Sequence, residues 1–169
     1  MAHSILVIGG TRSGKSRHAE QLAMAHRGRR VYIATAGAGD AEMERRIALH
    51  KARRGEGWQT VEEPLELASA LRLIAAPDAF VLIDCITIWL NNLMMDDRDV
   101  AAEIEDLCDM IRALPGRICM VSSEVGLGIV PDTPLGRYFR DEAGFANQML
   151  AQEADEVRFI VAGLPMRLK

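Results

Sequence analysis

The 169-residue sequence carries only three cysteines, Cys85, Cys108 and Cys119, with no C-x-x-C pair among them. An odd set without that spacing argues against a disulfide framework or a zinc site, and it fits a reducing cytoplasm. Positive charge is also short. Twenty Lys and Arg stand against 24 Asp and Glu, a net charge of −4. A general nucleic-acid binder needs a basic field to displace counterions, so no nucleic-acid partner is expected. No apolar stretch reaches the roughly 18 residues that span a bilayer. The first apolar run, ILVIG, is too short for the core of a secretory signal. Repeats, low-complexity segments and linkers are missing as well, so residues 1–169 read as a single domain. A chain of this length buries about two-thirds of its unfolded surface.

What is present is patterned. Hydrophobic residues make up 49% of the chain and charged residues 26%, ordinary for a globular protein. Five aliphatic runs recur: ILVI (5–8), VYIAT (31–35), FVLID (80–84), ICMVS (118–122) and VRFIVA (157–162). They are nearly continuous in hydrophobicity, as strands buried on both faces are. Helical patterns fill the intervals at 15–26, 41–54, 64–75, 99–114 and roughly 134–153. Strands alternating with helices predict a three-layer α/β fold, a mostly parallel sheet with helices on both faces. The apolar run IWLNNLMM (88–95) reads equally as core or as subunit interface.

Gly9 to Ser16, GGTRSGKS, fits G-x-x-x-x-G-K-[ST] with a strand before it and a helix after it. Gly9, Gly10, Thr11, Arg12, Ser13 and Gly14 would turn successive N–H groups inward as an anion nest, backed by the helix N-terminus. Lys15 would reach the β- and γ-phosphates, and the Ser16 hydroxyl would ligate Mg²⁺. Asp84 ends a neighbouring buried strand. Alone it reads as a helix cap; beside a phosphate loop it reads as the metal-side carboxylate. A nucleoside-triphosphate site with Mg²⁺ follows. The N-K-x-D base-reading motif of a GTPase is missing, and Asp84 is followed by Cys-Ile-Thr rather than by the D-x-x-G pattern of a switch. A compact small-molecule kinase fits what remains.

RRIALHKARR, residues 45–54, sets His50 among five cations. At helical spacing His50 shares an inward stripe with Met43, Ile47 and Arg54. Two readings stand. In the first, Lys51, Arg53 and Arg54 simply complement the helix C-terminus beside a half-buried histidine. Alternatively, the cations keep the imidazole neutral and nucleophilic, and they suit a triphosphate lying alongside.

The chain resembles the bifunctional cobinamide kinase/cobinamide-phosphate guanylyltransferase family of adenosylcobalamin biosynthesis. The residues that carry the resemblance are ILVIGGTRSGKSRHAEQL, YIATA, DAEMERRIALHKARRGEGWQTVEEP, VLIDCITIWLNNL, VSSEVGLGIVPDTPLGRYFRDEAGFANQMLAQEADEV and AGLP. The resemblance departs at Ser123, where Asn is expected. It implies phosphorylation of adenosylcobinamide with ATP or GTP. It also implies transfer of GMP from GTP through a guanylylated histidine, and the matching position is His50. Carried over by position, nucleotide contacts fall on Gly9 to Ser16, on Thr35, Ala36 and Gly37, on Lys51, Ala52, Arg53 and Arg54, and on Glu62 and Asp84. A homotrimer is implied too. Glu124, after the fourth aliphatic run, is a candidate second carboxylate near the metal, at the edge where open α/β sheets bind ligands.

Overall fold

The five aliphatic runs become strands, and two less conspicuous segments join them. In chain order these are β1 (His3–Gly9), β2 (Arg29–Ala34), β3 (Trp58–Glu62), β4 (Ala79–Asp84), β5 (Arg117–Ser123), β6 (Glu156–Val161) and β7 (Leu164–Arg167). They form one seven-stranded sheet of order β3-β2-β4-β5-β1-β6-β7. Every neighbouring pair is parallel except β6 and β7. The structure is a computed structural model and describes residues 3–37, 48, 52 and 54–169.

The helices are α1 (Lys15–Met24), α2 (Leu67–Ile74), α3 (Ile86–Met95), α4 (Val100–Ala113) and α5 (Pro134–Glu153). Two of their starts follow directly from the sequence. Asp99 accepts from the Ala102 N–H at the head of α4, and Thr133 accepts from the Gly136 N–H with Pro134 as the first residue of α5. Both are side-chain caps of orphan N–H groups. The helix expected over 41–54 falls largely outside the described residues; Ala48, Ala52 and Arg54 are helical.

Alternation along the strands divides the core in two. Leu6, Ile8, Val31, Ile33, Val81, Ile83, Ile118 and Met120 point to one face and pack on α2, α3, α4 and α5. Ile5, Val7, Tyr32, Phe80, Leu82, Cys119 and Val121 point to the other, with Ala19 and Ala23 of α1. Helices thus cover both faces, as the sequence predicts. Trp89, Leu90 and Leu93 of the 88–95 run belong to the first core and are fully buried within the chain, while Ile88 packs on the second core and Met95 is exposed. Because β1 to β6 run parallel, their C-terminal ends share one edge of the sheet, the edge where open α/β folds bind ligands.

Candidate active site

β1 ends at Gly9 and α1 begins at Lys15, so five residues make the turn between them. Gly14 takes φ 99, a conformation that resists a side chain. A Cβ at Gly9 would lie 2.7 Å from the Ile160 carbonyl oxygen. The loop is also braced from behind: the Gly163 N–H, in the β6–β7 turn, donates to the Ser13 carbonyl at 2.8 Å. No acidic side chain occupies the first turn of α1, and no side chain caps it. Its first N–H groups are therefore left for an anion. The Lys15 Nζ donates to the Gly10 carbonyl at 3.1 Å, across the mouth of the loop. Burial lowers the Lys15 pKa, opposed by Cys85 and by the charge of Asp84.

The acid arrives by strand alternation. Phe80, Leu82 and Asp84 share a face of β4, so Asp84 comes out on the side of α1. The Ser16 hydroxyl donates to Asp84 Oδ1 at 3.4 Å, and the Tyr32 hydroxyl donates to Asp84 Oδ2 at 3.2 Å. Burial first, then the neighbouring Asp84 charge, raises the Tyr32 pKa, so the phenol stays a donor. A hydroxyl and a carboxylate are hard oxygen donors of the kind Mg²⁺ takes, with phosphates and water filling its octahedron. Among the described residues no cluster of three or more His, Cys, Asp or Glu could cage a metal. The donor set fits a metal carried in on phosphate.

Arg54 is 6% exposed, with its Cζ 3.4 Å from the centroid of the Tyr32 ring and 6.0 Å from that of Trp58. It stacks on Tyr32, whose hydroxyl is bonded to Asp84. Its inward position agrees with the helical spacing. Ala52 is exposed, while His50, Lys51 and Arg53 lie outside the described residues.

Thr35 is fully buried, and its groups are committed. Its hydroxyl donates to the Cys85 carbonyl and accepts from the Cys85 N–H, both at 2.8 Å, while its carbonyl accepts from Asn92 Nδ2 at 2.8 Å. Its side chain fixes the residue that follows β4. Ala36 and Gly37 follow it, and Gly37 is exposed. Glu62 ends β3 beside Ala34, exposed on the same sheet edge.

Several residues of the site lie outside both the phosphate loop and the histidine segment. Tyr32 is one. Thr87 is another, accepting from the Ser123 N–H at 2.7 Å and so tying α3 to β5. Glu124 follows β5; its N–H donates to the Gly9 carbonyl at 3.0 Å, and its Oε1 accepts from Asn147 Nδ2 at 3.0 Å. A buried tyrosine in a strand and an asparagine on the inner face of a helix were the available signals, since each needs a polar partner. The three cysteines are free and buried. Burial raises their pKa values, to about 11 for Cys85 and for Cys108, which leaves them inert as nucleophiles.

A family model described as cobinamide kinase / cobinamide phosphate guanyltransferase matches residues 5–168. The chain belongs to this family. It is 53% identical over 167 residues to the bifunctional adenosylcobalamin biosynthesis protein CobP of Pseudomonas aeruginosa, covering 97% of this chain and 96% of that one. It is 40% identical over 180 residues to the bifunctional adenosylcobalamin biosynthesis protein CobU of Escherichia coli, covering 98% and 99%. Among solved structures, an ATPase of a bacterial type III secretion system matches with a TM-score of 0.60 at 11% identity, over 98% of this chain and 56% of that one. The RadB recombinase matches with a TM-score of 0.50 at 14% identity, over 93% and 73%. These two likenesses show the fold, that of the P-loop NTPases. In this chain the phosphate loop and Asp84 meet at the C-terminal edge of the parallel strands, where open α/β sheets bind ligands.

Proposed function

We propose that this chain phosphorylates adenosylcobinamide with ATP or GTP and then transfers GMP from GTP to the resulting phosphate. The products of the second step are adenosylcobinamide-GDP and pyrophosphate. The observation that carries the reading is the pairing of Lys15 and Ser16 with Asp84 at one sheet edge, in a chain that matches bifunctional relatives along almost its whole length. One domain over residues 1–169 would carry out both transfers, in the cytoplasm, where the buried thiols stay reduced.

In the first transfer the loop N–H groups would hold the phosphate oxygens, and Lys15 would lie against the γ-phosphoryl group as charge moves toward the leaving oxygen. Ser16 and Asp84 would hold a Mg²⁺ ion, which would supply positive charge against the phosphates. The second transfer needs a nucleophile. His18 is engaged with Arg158 at 3.1 Å, His26 with the Asp78 carbonyl at 2.9 Å, and His3 lies 3.5 Å from Glu156. His50, the position singled out by the resemblance, would attack the α-phosphorus and expel pyrophosphate. The cobinamide phosphate oxygen then takes the GMP group and frees the imidazole. Gly9 to Ser16, Ala36, Gly37, Lys51, Arg53 and Glu62 complete the proposed nucleotide surface, with Arg54 and Thr35 acting behind it. A homotrimer belongs to the same reading. Leu127, Ile129 and Val130 are exposed, Ile129 at 96%, and a subunit boundary would cover such side chains.

Product analysis tests this. GTP with adenosylcobinamide should yield cobinamide-GDP; a phosphate ester alone would remove the second activity, and neither product would remove both. Lys15→Ala should depress both products together, by well over tenfold. Kinase turnover within about tenfold of wild type, ~1.4 kcal/mol, would show that the loop is not the catalytic cradle.

A further inference from the structure

β5 lies between β1, which feeds the phosphate loop, and β4, which ends in Asp84. The registers pair Gly9 with Ser123 and Asp84 with Val121. Glu124 is therefore the first residue beyond the strand that separates the loop from the metal-side acid, and its own N–H is bonded to the Gly9 carbonyl at 3.0 Å. The backbone cannot swing this residue away from the loop. Its side chain is held as well. Asn147, 6% exposed on α5, donates from Nδ2 to Glu124 Oε1 at 3.0 Å and to the Ser123 carbonyl at 3.3 Å. The Asn147 Oδ1 is buried with no hydrogen-bond partner among the described residues, so Nδ2 alone sets the orientation of the amide.

Asp84 and Glu124, at the ends of adjacent strands on this edge, are dressed differently. Asp84 is bonded by Ser16 and Tyr32, on the side where a metal would sit. Glu124 is half-buried, with one oxygen fixed by a neutral amide. An amide N–H on a carboxylate oxygen occupies a lone pair that a metal would otherwise take. A carboxylate fixed next to the phosphate loop, and bonded to neither Ser16 nor Tyr32 as Asp84 is, has the makings of a proton acceptor.

We propose that Glu124 is the general base of the phosphoryl-transfer step and that Asn147 is its positioning residue. The inference rests on the kinase activity proposed above. The acceptor hydroxyl forms a bond from its oxygen to the γ-phosphorus, its proton passes to a Glu124 carboxylate oxygen, and the bond from the γ-phosphorus to the β–γ bridging oxygen breaks. Nucleoside diphosphate leaves with the bridging electron pair. Guanylyl transfer to an existing cobinamide phosphate has no hydroxyl proton to remove, so this base serves only the first reaction.

The experiment measures both reactions separately, supplying adenosylcobinamide for one and adenosylcobinamide phosphate for the other. Glu124→Gln should lower kinase kcat by about 10²–10³-fold. Its nucleotide KM and Mg²⁺ half-saturation should stay within threefold of wild type, and so should guanylyl transfer from supplied phosphate. Asn147→Ala should lower kinase kcat about tenfold without a change in nucleotide KM, and it should cost nothing further in the Glu124→Gln background. A second tenfold loss in that background would make Asn147 merely structural. A raised Mg²⁺ requirement, or parallel loss of guanylyl transfer, would overturn the assignment in favour of metal binding or of fold support. Glu124→Gln kinase turnover within tenfold of wild type would also overturn it. Wild-type protein forming no phosphate ester would instead defeat the kinase reading itself.

Discussion

Thr35 and Cys85 are joined by two hydrogen bonds at 2.8 Å in a fully buried setting, one residue beyond Asp84. Thr35→Val keeps the shape and deletes both bonds, leaving the buried Cys85 N–H without its partner while the Cys85 carbonyl keeps the Trp89 N–H at 3.2 Å. An unsatisfied buried group costs about 1–3 kcal/mol. For a chain of this size that lowers Tm by roughly 5 °C. Calorimetry should show this loss in Thr35→Val and largely restore it in Thr35→Ser, which retains the hydroxyl; an unchanged Tm in the valine variant would contradict the assignment. Tyr32 works similarly, one strand over. Its ring sits under the Arg54 guanidinium and its hydroxyl on Asp84, so a cation is coupled to the acid through an aromatic spacer.

At the scale of elements, legibility followed burial. β1, β2, β4, β5 and β6 are buried aliphatic runs, and α4 and α5 start on Asp99 and Thr133 caps, all plain from residue order. β3 was not visible, because WQTVE lies at the sheet edge with Gln59, Thr60 and Glu62 exposed and hence polar. Nor was β7, four exposed residues including Pro165, a residue that edge strands tolerate. The 88–95 run carried no decisive period, and only the fold places Trp89, Leu90 and Leu93 in the core. The site divides in the same way. The loop is contiguous and Asp84 ends an obvious strand, so both could be read. The bonds of Tyr32 to Asp84, Thr35 to Cys85 and Asn147 to Glu124 join positions 52, 50 and 23 apart, which no local pattern encodes. The brace from the β6–β7 turn to Ser13 belongs here too, since it needs a strand that the sequence hides.

For the whole molecule, the account predicts an assembly and a division of labour. Light scattering at micromolar concentration should give three times 18.6 kDa; a monomer would remove the homotrimer and any site shared between subunits. The central claim is that one nucleotide site serves two chemically distinct transfers, the second through a covalent imidazole. A histidine attacking an α-phosphate makes a phosphoramidate and splits one displacement into two. Protein incubated with α-labelled GTP and then denatured should therefore retain label that is acid-labile and alkali-stable, while γ-labelled GTP should leave none. His50→Ala should lose the label and the guanylyl transfer yet keep most of its kinase activity, which depends on Lys15 instead. Full labelling in the His50→Ala protein would contradict the account and return His50 to the role of an ordinary helix-end residue.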